Sequence, residues 1–293
     1  MADLLRAEWL KQTRRPLARL LLGIVLVILA LQLLLQGTLS ALLGAQLTSS
    51  GAQGILAEFG RGTNFPGIFG TVLGFVNGIG GFFAIVYAAA ALGSEYAWGT
   101  LRAQLARHPQ RARFLIAKAL VVLALLAVAI LLALLVGSVV ALLVSGLSGT
   151  LVLPGAADLL ALPAAVARAW LVLVPYTLLT LLWVVIGRSA LAGVAGGFIY
   201  LFAEAGLGYA VLFTELLGDG WRGFYNLTIG QNINALTIAN NQAFGLNTAI
   251  VTGFDPSSLP PVPQAVGVIM LYGITFFASA VWLFGRRDIS GAG

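Results

Sequence analysis

Among the few polar side chains inside long apolar runs, Glu204 and Asn77 are the first places to look for chemistry, while Gln32 and Gln36 read as helix contacts. A carboxylate or an amide in hydrocarbon costs free energy unless it faces protein or water, so each marks either a translocation pathway or a hydrogen bond between helices. A carboxylate at such a depth could hold a proton or a cation, which is the chemistry of an ion-coupled carrier. Little else is on offer. The chain has no Cys, one His (His108) and two Lys (Lys11 and Lys118). Disulfides, thiolate metal sites and His-cluster metal sites are excluded, and no metal is expected. Neither lysine follows a Gly-rich turn, so there is no phosphate-binding loop of the Walker type. A nucleophile elbow, a His-Glu-x-x-His pair and a placed dinucleotide fingerprint are absent as well. No catalytic residues are expected, and the chain is not read as an enzyme.

The elements that must carry Glu204 and Asn77 belong to a membrane. Of 293 residues, 60% are hydrophobic and only 9% charged, with a mean hydropathy of +0.99. Soluble domains place about a quarter of their residues in the charged class. The net charge of +6 does not indicate nucleic acid, because the basic residues cluster beside apolar runs, where anionic headgroups sit. Six apolar stretches, 20–43, 68–92, 119–144, 169–186, 191–213 and 266–284, are each near the roughly 20 residues needed to span hydrocarbon. Continuous Leu/Ala/Val runs favour helices over the short alternating strands of a barrel. The expected fold is an all-α integral membrane protein of six transmembrane helices.

Thirteen of the 16 basic residues lie before span one, between spans two and three, between four and five, or after six. Only Arg61, Arg168 and Arg222 fall on the other side. The positive-inside rule therefore places both termini in the cytoplasm, and the expected site is the plasma membrane. Arg14-Arg15 before a Leu-rich run could open a signal sequence, but without a convincing cleavage site the first span is read as retained. The whole chain, 1–293, reads as a single transmembrane domain. Within it, 1–16 suits an amphipathic surface helix, with Leu4, Leu5 and Trp9 alternating with Asp3, Arg6, Glu8 and Lys11. The outward connection 46–66 is rich in Gly, Ser, Gln and Thr, and 148–163 is short. The segment 214–264 is long and Asn-rich, with apolar residues enough for one or two half-buried helices, and so reads as an external cap or re-entrant element. Gly70, Gly74 and Gly78 on span two, and Gly193 and Gly197 on span five, recur every four residues, a spacing that lets helix backbones approach closely.

The most informative stretch is the basic connection 94–113. Ser94 reads as an N-cap, Glu95 suits the positive end of a helix dipole, and Pro109 ends the helix. Trp98, Leu101 and Leu105 then share one face, with Arg102 turned aside. A short helix with an exposed apolar ridge would plug a groove in a partner. The alternative is an interfacial helix resting on headgroups.

This stretch resembles the cytoplasmic loop of ABC-2 type exporter permeases. The order of residues is an acidic residue (Glu95), Gly99-Thr100-Leu101-Arg102, Leu105, Pro109, Arg111 or Arg113, and Lys118 entering the third span. The resemblance implies the membrane permease subunit of an ATP-driven ABC exporter. Such a subunit would work with a second permease copy or paralogue and a separate cytoplasmic ABC ATPase. ATP and magnesium would be bound in that partner, and the short helix between spans two and three would couple the two. On this reading Glu95, Trp98, Gly99, Thr100, Leu101, Arg102, Leu105, Pro109 and Arg111 contact or serve the ATPase, while Glu204 and Asn77 line a pathway. Apolar walls would suit a lipid, peptide or hydrophobic drug as substrate. An ion-coupled secondary transporter using Glu204, or a non-transporting membrane scaffold, are the rival readings.

Overall fold

A computed structural model of the chain describes residues 1–43, 50–107, 110–148, 152–209, 223–247 and 258–286. Among the described residues the regular elements are helices, and six of them are long and apolar enough to cross a membrane. With no water in hydrocarbon to satisfy backbone N–H and C=O groups, continuous apolar runs close their hydrogen bonds internally. The spans are α2 (Pro16–Leu43), α4 (Gly67–Ala97), α6 (Arg111–Ser148), α7 (Ala156–Gly187), α8 (Ala190–Tyr209) and α10 (Val262–Arg286). The chain is thus a multi-pass membrane protein. Between the spans lie α1 (Ala2–Arg14), α3 (Ser50–Thr63), α5 (Thr100–Arg107) and α9 (Ile229–Ala243).

Several helices outrun the apolar stretches that announce them. At 38 residues, α6 is about 57 Å long against a hydrocarbon thickness of about 30 Å, so its first turns, with Arg111 and Arg113, project beyond the apolar slab. Span four begins at Ala156, not near 169, and takes Pro163 and Pro175 into the helix. Proline is tolerated there because neighbouring helices re-satisfy freed backbone groups. The connection 46–66, expected as a polar linker, is largely the helix α3, pinned by buried Leu56 and by Glu58, which accepts from the Asn247 backbone N–H and pairs with Arg61 at 3.1 Å.

The core is formed by α4 and α7, which pack on each other and on α6, α8 and α10. Gly193 and Gly197 of α8 form the close seam the spacing predicts: a Cβ at Gly193 would meet Ala89 at 3.0 Å, and one at Gly197 would lie 3.0 Å from Thr180 Oγ1. The Gly70/Gly74/Gly78 series serves a different purpose. Gly70 and Gly74 lie against Asn241, just inside the C-terminal end of α9, whereas Gly78 is exposed with nothing near it. The third member of that spacing thus meets no neighbouring helix among the described residues.

At one end of the bundle α1 joins α2, α4 and α6, and Phe114 near the start of α6 stacks on Phe284 near the end of α10 at 6.2 Å. Both ends of the described chain thus sit at the same end of the bundle, which carries most of the basic residues and is called the basic end below. At the other end α9 is wedged among α4, α7, α8 and α10, an ordered element inside the 214–264 segment.

Candidate functional site

The basic end is built around Lys118, which is fully buried one and a half to two turns into α6. A lysine there needs acceptors for three N–H donors. Lys118 Nζ donates to Glu8 Oε1 at 2.6 Å, to Glu95 Oε1 at 2.7 Å and to the Ala91 carbonyl at 3.0 Å. Glu95 is itself completely buried and also accepts from Lys11 Nζ. Arg15 completes the group. Its Nη1 donates to Ser94 Oγ at 2.9 Å and to the Ala90 carbonyl at 3.3 Å, its Nη2 stands 4.0 Å from Glu95, and its guanidinium lies over the Trp98 ring at 5.4 Å. Three cations against two carboxylates leave this cluster with a net charge of about +1, so no buried anion is uncompensated.

Local sequence explains how these groups meet. Lys11 and Gln12 lie three and four residues after Glu8 on α1, and Gln12 Nε2 donates to Glu8 Oε1 at 2.6 Å. Pro16 cannot continue α1, and the residue before it, Arg15, is extended (φ −69°, ψ 129°), which ends α1 and starts α2. The expected surface helix therefore exists, but turned over: its polar face, with Glu8 and Gln12, is buried, while Trp9 and Leu10 are exposed. Ions, not an apolar stripe, hold it. Burial opposes the Glu8 charge, yet the Lys118 ammonium, hydrogen bonds from Lys118 and Gln12, and the Lys11 charge together keep its pKa below the ordinary 4.5.

The connection between spans two and three departs from the single helix expected from Ser94 to Pro109. Ser94 and Glu95 are the last turn of α4, where Ser94 takes a C-terminal role: its carbonyl accepts from Trp98 N at 3.0 Å. Gly99 follows at φ +67°, the left-handed stop that favours glycine, and α5 begins at Thr100. Glu95 is thus an internal ion-pair residue and not the N-terminal acid of a surface helix.

The apolar ridge is split. Leu101 and Leu105 are buried, 2% and 8% exposed, and join the main core, whereas Trp98 is 67% exposed. The two leucines seat α5 on its own bundle because an amphipathic helix next to a large apolar core buries its stripe there first. Thr100 is half-buried at the start of α5. Arg111 donates to the Gly285 carbonyl at 3.5 Å, tying α6 to α10. Pro109 and the side chain of Arg102 lie outside the described residues.

The opposite end holds Glu204 and Asn77, and both grip α9. Glu204, in the outer part of α8 and not at its middle, accepts from the Gly230 backbone N–H at 2.7 Å and from Tyr176 and Tyr200 hydroxyls at 3.4 and 3.5 Å. It therefore lies at the N-terminal, positive end of the α9 dipole. Asn77 Nδ2 donates to Thr237 Oγ1 at 2.8 Å, and further along Arg168 Nε donates to Asn240 Oδ1 at 2.6 Å while Asn240 Nδ2 reaches the Ala165 carbonyl at 3.1 Å.

Glu8, Lys11 and Arg15 entered the sequence reading only as parts of a surface helix and a basic pair, Gln12 not at all, and none as a partner of Glu95 or Lys118. The signal that would have found them is scarcity: in a chain this poor in charge, a lysine and a glutamate on neighbouring span ends require counter-ions, and only α1 has unassigned ones nearby.

A six-span helical bundle, with short helices at both ends and an ion cluster welding spans two and three to the N-terminal helix, defines a polytopic membrane protein. Compared with known families, the chain matches the ABC-2 family transporter proteins over residues 4–289, and it belongs to that family. It is therefore a membrane transport component and not itself a catalyst; such proteins generally work with an ABC ATPase. No curated protein and no solved structure matches.

Proposed function

We propose that the chain is the permease subunit of an ATP-driven ABC exporter. The basic end faces the cytoplasm of a plasma-membrane cell surface and receives a separate ATPase, which binds ATP and magnesium. A second permease copy or paralogue completes the translocation unit. The observation that carries this reading is the construction around Trp98. An exposed aromatic stands at the Gly99 turn, backed by Arg15, while Leu101 and Leu105 fix α5 to the core and Lys118 locks α4 to α6. Aromatic and arginine side chains are the usual anchors of a protein interface. A partner holding this corner would move the ends of α4 and α6 together with α1, because breaking a buried ion pair is strongly unfavourable. Rigid-body shifts of coupled helices are an established route from ligand-driven closure to a change of access.

In this arrangement Trp98 contacts the ATPase, Gly99 and Thr100 shape the turn, Leu101 and Leu105 transmit force inward, and Arg102, Pro109 and Arg111 flank the contact. The experiment is site-specific photocrosslinking. A photoreactive residue in place of Trp98 captures an ABC ATPase encoded beside this chain, and the same residue in place of exposed Leu271 on α10 does not. Capture of phospholipid alone from the Trp98 position overturns the proposal.

A further inference from the structure

Burial sorts the charges of the basic end into two sets. Glu8 and Glu95, 7% and 0% exposed, are turned inward and are already met by Lys118, Lys11 and Arg15. The cations left over face outward. Arg6 and Arg14 on α1, Arg113 on α6 and Arg286 at the end of α10 are exposed, and none forms an ion pair among the described residues. Asp3 is the one exposed carboxylate at this end among the described residues. Two of these arginines flank the Trp98 corner. Arg14 precedes Arg15, whose guanidinium lies over the Trp98 ring, and Arg113 stands in the first turn of α6, beyond the 8-residue α5. Between them α5 shows uncharged side chains where it is described, with Ala103 exposed and Gln104 half-buried. Trp98 also stands clear of the hydrocarbon. The 31 residues of α4 reach about 46 Å, and because the apolar stretch begins at its outer end, the excess over about 30 Å lies toward Trp98.

An exposed aromatic beside small uncharged surface, flanked by cations without counter-ions, is the pattern of a protein contact with an apolar centre and a charged rim. We infer that the ATPase which docks here presents an acidic rim around the pocket that takes Trp98, so that charge steers the encounter and the tryptophan holds it. This rests on the proposed function and adds to it the chemistry of the partner's face. The carboxylates that could have neutralised the arginines from within the chain are spent in the buried cluster, so complementary charge has to come from outside. Rim charges act mainly on the rate of encounter and on register, whereas a buried aromatic anchor acts on the rate of release. The dimensions agree. A standard interface covers about 800 Å² of each partner, and α5 is only about 12 Å long, so one footprint runs from the Trp98 turn along α5 toward Arg113.

The test uses the full chain in nanodiscs of phosphatidylcholine, which carries no net charge, and the purified ABC ATPase encoded beside it. Association and dissociation rates are measured at about 0.05 M and about 0.5 M salt, on either side of the roughly 0.1 M at which the screening length is about 10 Å. Association of the parent should slow roughly tenfold at the higher salt. The double variant Arg14→Gln, Arg113→Gln should associate more slowly at low salt and lose most of that dependence. Trp98→Ala should speed release and leave the salt dependence of association as in the parent. All three side chains are exposed, so the variants keep the fold. Binding with equal association rates at both salts, or a salt dependence that the double variant leaves intact, overturns the acidic rim while the exporter reading stands. Absence of binding at either salt overturns both. A double variant that binds the ATPase like the parent but retains less phosphatidylglycerol from mixed discs assigns the arginines to headgroups, and the inference fails.

Discussion

The two ends of this bundle both bury a carboxylate and treat it in opposite ways. At the basic end Glu95 and Glu8 are met by full charges from Lys118, Lys11 and Arg15. At the other end Glu204 is met by neutral donors, a backbone N–H and two phenols, at the start of α9. Ion pairs in a low-dielectric interior are strong and hard to rearrange, while a carboxylate on neutral dipoles keeps its place at smaller cost and with looser geometry. The difference teaches how each end is fastened. Under the proposed function, the corner that would meet the ATPase has to carry force without yielding, and it is welded by charge. The opposite end holds α9 by hydrogen bonds to Glu204, Asn77 and Arg168 and by buried Ile229 and Leu236 instead of by ion pairs.

The comparison is broken most severely by Lys118→Met. It removes the one fully buried cation of the cluster, which both Glu8 and Glu95 share, leaving them only the more exposed Lys11 and Arg15, and should cost about 3–5 kcal/mol, read as a large drop in the unfolding midpoint of the detergent-purified chain. If this variant is as stable as the parent, the basic end is not a weld. Leu101→Asp comes next. It puts a carboxylate into a core position 2% exposed and should unseat α5 at a cost of roughly 2–4 kcal/mol, whereas Trp98→Ala leaves stability within about 0.5 kcal/mol and removes only partner capture. Equal loss of stability from both would erase the distinction between seat and contact. Glu204→Gln should cost only about 1–2 kcal/mol, since the amide oxygen keeps an acceptor for Gly230 N–H while the charge and the second acceptor, used by Tyr176, are lost. Its effect should appear as faster amide exchange along α9 with α1 unchanged.

The smallest effect is that of mild acid. Glu8 has a folded pKa below its ordinary value, so it contributes stability above that value, and the contribution is lost as pH falls through the lowered one. From neutral pH down to the ordinary carboxylate range, about 4, amide protection of α1 should hold; below it, α1 should loosen before the spans do. Loss of α1 protection already near neutrality would contradict the sign.

The membrane class, the six spans and the family resemblance were all legible in the chain. Apolar runs of bilayer length admit little but helices, and a run such as Gly99-Thr100-Leu101-Arg102 can be read locally. The Gly193/Gly197 seam followed from spacing for the same reason, whereas Gly78, on an identical spacing, met no neighbour because periodicity names a face without naming what lies across it. Leu101 and Leu105 show the limit most clearly. Their stripe was apparent, but whether it served a partner or the chain's own core depended on α5 folding back beside α4. The pairing of Lys118 with Glu8 spans 110 residues of sequence, and Glu204 meets Gly230 only because α9 returns into the bundle. What the sequence determined by itself was solvent and secondary structure, which depend on neighbours within a few turns. Which charges compensate one another, and which apolar face is left free, only the tertiary structure decided, because burial and ion pairing belong to surfaces that come together after the helices exist.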